Sequence, residues 1–159
     1  MKALHAVLVA LAAAVTLASV ASAGPDAARQ RVAITMQEEA TTTVDQFVLS
    51  PLQAGAVKPD SGEPSGAIPP KRVVMRGGQA VSVYDHGITT LNGKRGSIVF
   101  RYRSEYVEAG NGYNVGTGTW KVVRGTGRYA GITGGGRAGH VFLDGGPWSS
   151  RLEGFLTLP

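Results

Sequence analysis

The segment GTWKVVRGTGRYAGITGGGR, Gly118 to Arg137, joins a short apolar strand pattern to a dense run of glycines. Two readings compete for it, and they lead to different folds. Gly125, Gly127 and Ala130 match the G-x-G-x-x-G/A spacing by which a strand hands a dinucleotide's phosphates to a helix. That motif needs a helix start, because the phosphate sits on the free amides and positive dipole end of the helix. The continuation GITGGGRAG cannot supply one, since glycine is about 1 kcal/mol worse than alanine at each interior helix position. The glycines therefore serve the backbone. Strands that curl into a small barrel must bend sharply, and glycine relieves the crowding where they do. More than half of the chain's 23 glycines fall between Gly110 and Gly146, so the bending is expected there. Gly125-Thr126-Gly127 suits a tight hairpin with a residue at positive φ.

No sustained 3.6-residue apolar period occurs beyond the N-terminal segment, whereas period two recurs. In RLEGFLTLP, Leu152, Gly154, Leu156 and Leu158 share one face, and Arg151, Glu153, Phe155 and Thr157 the other. In GSIVFRYRSEYV, Ile98, Phe100, Tyr102 and Tyr106 oppose Ser97, Val99, Arg101, Arg103 and Glu105. This is the alternation of a half-buried antiparallel strand. It predicts strands near 30–37, 43–50, 71–76, 79–85, 96–107, 113–124, 128–133, 137–144 and 150–158. Turn signals at Gly77-Gly78, Asp85-His86-Gly87, Asn92–Gly96, Gly110-Asn111-Gly112 and Asp144–Pro147 separate them. Short connections make hairpins, so the expected fold is all-β, an eight-stranded antiparallel meander closed into a small barrel. KPDSGEPSGAIPP, Lys58 to Pro70, is expected to be an irregular surface loop.

The pattern G-x-G-T-W-K-V-V-x-G-T-G-x-Y-A-G-I-T-G-G-G also resembles a motif in secreted bacterial proteins of unassigned function. Their barrels are similar to those of allene oxide cyclase and the plant dirigent proteins. Gly125, Thr126, Gly127, Tyr129 and Gly131 occupy the matching positions, and the resemblance covers roughly Gly93 to Leu158. It implies an eight-stranded barrel with a central cavity, often assembled as a homo-oligomer. Cyclases of that type use a glutamate and a bound water, and dirigent proteins use acidic residues to orient a reactive intermediate. The shared motif contains no acid, so the resemblance assigns no catalytic residue, and fold alone transfers no chemistry.

The chain opens MKALHAVLVALAAAVTLASVASA, a lysine, an apolar run and a small-x-small site. This reads as a signal peptide over residues 1–23, cut after Ala23, with a periplasmic or extracellular domain over 24–159. No other stretch is long and apolar enough to span a bilayer as a helix. The chain has no cysteine, hence no disulfide or thiolate chemistry. Its formal charge is +5, with basic residues scattered among acids rather than set in a stripe with aromatics, which argues against nucleic acid as a partner.

Chemistry-bearing residues are few. His86 is expected in a turn, and His140 on the solvent face opposite Val141 and Leu143. Two histidines are too few for a zinc site without carboxylate help, and no cofactor is implied. No G-x-S-x-G elbow occurs, and Ser149-Ser150 read as part of a turn. Arg101, Arg103 and Glu105 read as an outward charge ladder. Tyrosine and tryptophan combine an apolar body with a hydrogen-bonding tip. The ligand-binding candidates are therefore Tyr84, Tyr102, Glu105, Tyr106, Trp120 and Tyr129. The leading expectation is an exported, non-catalytic barrel that binds a small apolar or aromatic molecule. The alternatives are a cyclase or isomerase using a barrel-facing Glu105, Asp85 or Tyr84, and a plugged barrel that works through its surface.

Overall fold

A computed structural model describes residues 28–38, 45–66 and 72–159. The signal-peptide segment and its cleavage site lie outside the described residues. The strands are β1 (Gln30–Glu38), β2 (Asp45–Pro51), β3 (Asp60–Gly66), β4 (Arg72–Arg76), β5 (Gln79–Gly93), β6 (Gly96–Gly110), β7 (Tyr113–Gly125), β8 (Thr133–Leu143) and β9 (Trp148–Thr157). All described pairings are antiparallel, in the order β3-β2-β1-β9-β8-β7-β6-β5-β4. A further pairing of β3 with β5 closes eight strands into a barrel and leaves β4 as an outer strand on β5. The all-β small barrel expected from period two is the observed fold. Among the described residues no helix is long and apolar enough to cross a membrane.

The barrel interior is apolar at one end. Ile34 of β1, Leu49 of β2, Leu91 of β5, Phe100 of β6 and Leu152 and Leu156 of β9 are almost fully buried. Trp120 meets Phe100 edge to face with ring centroids 5.9 Å apart, and its indole N–H donates to the Arg137 carbonyl at 3.2 Å. The core face assigned to β9 is the observed one, with Arg151 and Glu153 on the solvent side. In β6 the face of Ile98, Phe100, Tyr102 and Tyr106 points inward, and Arg101, Arg103 and Glu105 are exposed.

Four expectations change. First, β3 runs through the supposed loop, of which 67–70 lies outside the described residues. Its sequence DSGEPSG has no apolar alternation, and it is a strand because both neighbours hold it. Phe47 pairs with Gly62 on one side and Gly93 with Gly62 on the other. Pro64, which lacks an N–H, stands past the last residue paired to β2, so no ladder on that side requires one. Second, Asp85-His86-Gly87 is no turn, since β5 passes straight through it in register with Ser104, Arg103 and Tyr102. Gly87 is there because the Tyr102 ring lies on it; a Cβ would stand 2.9 Å from the phenol oxygen. Third, of 128–133 only Thr133 is in a strand, as the first residue of β8. Gly127, at φ 58°, starts a 3-10 turn over Gly127–Tyr129. The amides of Thr126, Arg128, Tyr129 and Ala130 all donate to backbone carbonyls, so this turn has no free amide row for a phosphate. Fourth, Ser149 and Ser150 belong to β9, and Ser150 is buried.

The seam where β3 meets β5 is fastened by one buried carboxylate. Asp60 Oδ1 accepts from the amides of Ser61 at 2.9 Å and Lys94 at 3.0 Å. Its Oδ2 accepts from the Arg95 amide at 3.2 Å and the Tyr129 hydroxyl at 2.9 Å. The clamp thus joins the first residue of β3, the β5–β6 hairpin and the 3-10 turn. Gly93 leaves room for it, because a Cβ there would collide with the carboxylate. Gln30 does similar work beside it: its amide donates to Gln53 and Val57 carbonyls and accepts from the Val57 amide at 2.8 Å.

Removing the carboxylate strands four donors, and an unsatisfied buried donor costs about 1–3 kcal/mol. Asp60→Ala is expected to lower stability by about 2–4 kcal/mol in urea titration, and Tyr129→Phe, which removes one of the four bonds, by about 1 kcal/mol. An Asp60→Ala midpoint equal to the parent's would exclude the clamp.

Candidate functional site

Away from the clamp the interior changes character. Inward positions near the β6–β7 and β8–β9 hairpins carry Tyr102, Tyr106, His140, Phe142 and Trp148, all only partly buried. These rings form the mouth of the barrel. Tyr106 packs edge to face on Phe142 at 5.2 Å between centroids and against the His140 ring at 5.3 Å. It lies flat on the β7 backbone at Gly116, where any Cβ would strike its ring. Glycine at this position is thus a packing requirement of the tyrosine.

Polar groups sit among these rings. Asp85 of β5 points inward opposite Ser104 of β6. His140 bridges two serines, with Ser104 Oγ 3.0 Å from Nε2 and Ser150 Oγ 2.7 Å from Nδ1. A neutral imidazole donates through one nitrogen and accepts through the other, so one serine hydroxyl points its proton at the ring. Burial lowers the His140 pKa below its ordinary 6.5, which favours that neutral form. Tyr102 is pushed up to about 12, by burial first and then by the negative charge of Asp85. Tyr106 is raised further, again mainly by burial, although a bond from Ser104 pulls the other way and Asp85 adds to the rise. Both phenols are therefore protonated donors at neutral pH, placed around one carboxylate. Such a set can hydrogen-bond a small polar-tipped ligand or pass a proton to it. Among the described residues no three His, Cys, Asp or Glu side chains gather as a metal site would need.

The six candidate residues separate into three places. Tyr102 and Tyr106 come together at the mouth. Trp120 and Tyr129 are buried in the apolar half, where Tyr129 serves the Asp60 clamp. Tyr84 and Glu105 face outward and bond each other, the hydroxyl donating to Glu105 Oε1 at 2.6 Å. Of the three acids and phenols named for catalysis, Glu105 and Tyr84 are thus not barrel-facing, whereas Asp85 is.

His140 corrects the expectation that it faces solvent. The outward residues of this region are Val107, Val115 and Val141, aligned in one cross-strand row and 38–46% exposed. Apolar valines on the outside inverted the apparent faces of β8. Ser104 could have been found from parity alone, since it shares the face of Ile98, Phe100, Tyr102 and Tyr106. Ser150 likewise shares the parity of Leu152 and Leu156. No protein-family model matches the chain, and no curated protein or solved structure does either.

His140 gives a pH signature. Because burial lowers its folded pKa, the unfolded chain takes up the proton first as pH falls through 6.5. Stability from this group is full above that value and declines below it. Unfolding free energy is expected to fall between pH 7 and pH 5, and His140→Asn to flatten that slope. Superimposable pH profiles for the two proteins would contradict the burial of a neutral imidazole.

Proposed function

We propose that this chain is a non-catalytic barrel that binds a small aromatic molecule at its mouth. The observation that carries the reading is the ring set of Tyr102, Tyr106, Phe142 and Trp148, inward-facing yet only partly buried, around Asp85 and His140. At the other end the interior is filled by its own side chains, and a hollow of about 340 Å³ there is lined by Lys58, Arg95 and Arg128 rather than by a set of rings. Aromatic walls favour a flat apolar body, and the protonated phenols, the carboxylate and the imidazole favour a hydroxyl or carbonyl tip. Export through residues 1–23 is part of the same proposal, resting on the sequence pattern of that segment.

A second reading is favoured by one observation, that Asp85 lies against two protonated tyrosines. In it the barrel is an isomerase or cyclase, with Asp85 taking a proton and a tyrosine supplying one. The resemblance to the cyclase and dirigent barrels points the same way. The two readings part at Asp85: hydrogen-bonded binding survives Asp85→Asn with reduced affinity, whereas proton transfer does not.

The two tryptophans make binding readable, because Trp148 is at the mouth and Trp120 is in the core. Titration with 1-naphthol is expected to quench emission saturably, and Trp148→Phe to abolish that response. Tyr106→Phe removes one hydrogen bond of about 1 kcal/mol, so affinity should drop about fivefold. A linear, unsaturable quench, or one that Trp148→Phe leaves in place, would overturn the proposal.

A further inference from the structure

On the outside of the barrel, opposite the polar interior, a groove of about 530 Å³ crosses four strands. Its floor is the register row Asp85, Ser104, Gly118 and Ala138, whose side chains point inward or are small. One wall is Tyr84, Glu105 and Thr117; the other is His86, Arg103, Thr119 and Arg137. The lower wall is cut away at Gly139, where a Cβ would meet nothing within 4 Å. The groove is therefore open at its end and shaped for something extended.

Its charge is one-sided. Arg103 and Arg137 are exposed on the upper wall, and Arg101 and Lys121 lie one row beyond. Arg101 stands directly opposite Lys121, an arrangement of like charges that destabilises a sheet. Among the described residues the ion pair found is Arg151 with Glu153, and none of these four cations takes part in one. Glu105, the acid on the lower wall, accepts from Tyr84 and keeps its charge, and Glu153 of β9 stands opposite Arg137 while paired with Arg151. These four cations outnumber the acids beside them, so the upper wall calls for an anionic partner.

Geometry narrows its class. The backbones of Arg103 and Arg137 are two strands apart, roughly 9–10 Å, with Thr119 between them, so the two guanidinium groups can reach successive groups of an extended partner. The spacing suits a partner that carries successive anionic groups. An extended peptide would bind by pairing with a strand edge, but the floor backbone here is already paired in the β5–β8 ladders. Single-stranded nucleic acid needs a succession of rings for base stacking, and this groove offers Tyr84 and His86, both on β5 at one end. Thr117, Thr119 and the Tyr84 hydroxyl instead suit a chain rich in hydroxyl groups. We propose that the groove across β5–β8 binds an anionic polysaccharide, with Arg103 and Arg137 on separate carboxylates. This site is independent of the mouth, so either proposal can fail without the other.

The test is fluorescence anisotropy of a labelled oligogalacturonate of about ten sugars with the full-length protein at low salt, an ionic strength at which surface charges are little screened. Saturable binding is expected, weakened about tenfold or more in Arg103→Gln/Arg137→Gln, since each removes a charge-assisted hydrogen bond. Thr117→Trp, which adds bulk beside the floor without changing charge, should weaken it comparably. Arg31→Gln/Arg128→Gln, equal in charge but off the groove, should stay within about twofold, as distant surface charges contribute little. Equal weakening in that control pair, or none with Thr117→Trp, would mean diffuse attraction and overturn the site. Tighter binding of an oligodeoxythymidylate of the same charge would replace polysaccharide with nucleic acid. No binding at low salt would end the proposal.

Discussion

The Asp60 carboxylate holds together parts of the chain that have no local reason to meet. Its four donors come from Ser61, Lys94, Arg95 and Tyr129, the last 69 positions away. A buried carboxylate is tolerable only when its lone pairs are filled, and here they are filled by the elements that must converge for the barrel to close. β3 lacks apolar side chains to bury and contributes to the ring through backbone pairing and this clamp. Without the closure, β3 and the Thr89–Gly93 part of β5 would each present an unpaired edge.

Closure at one end leaves the other free to be polar. The apolar half is packed with Phe100, Trp120, Leu152 and their neighbours, as a small barrel of eight strands permits. The mouth half keeps tyrosines, a histidine, serines and Asp85, with His140 bridging Ser104 and Ser150 in a partly desolvated space. Burial favours the neutral forms of Tyr102, Tyr106 and His140. The floor residues Asp85 and Ser104 belong to this interior set, while their backbones form the bed of the outer groove. One short stretch of sheet thereby builds two different surfaces.

Much of the fold was legible because period two is a local property. The faces of β6 and β9 follow from Ile98 to Tyr106 and from Leu152 to Leu158. β8 was misread because Val141 is apolar and exposed, so hydrophobicity pointed the wrong way. β3 was illegible since its strand character comes from neighbours far along the chain, and Asp85-His86-Gly87 resembled a turn only because its glycine accommodates a ring from β6. Of the mouth, Tyr102 and Tyr106 could be read from parity. Asp85 and His140 needed the register, and the grouping of Arg103 with Arg137 needed three aligned strands. The role of Tyr129 was hidden because its partner, Asp60, lay in a stretch that looked irregular.

The central claim is that β3 and β5 close the barrel. Hydrogen–deuterium exchange resolved along β3 and β5 tests it most directly, because ladder amides exchange only on opening whereas edge amides exchange freely. Closure predicts that amides of Asp60–Gly66 include slow ones, with protection approaching that of the β1–β9 ladder. Fast exchange throughout Asp60–Gly66, with the β1–β9 ladder still protected, would show an open sheet with a free edge and contradict the account.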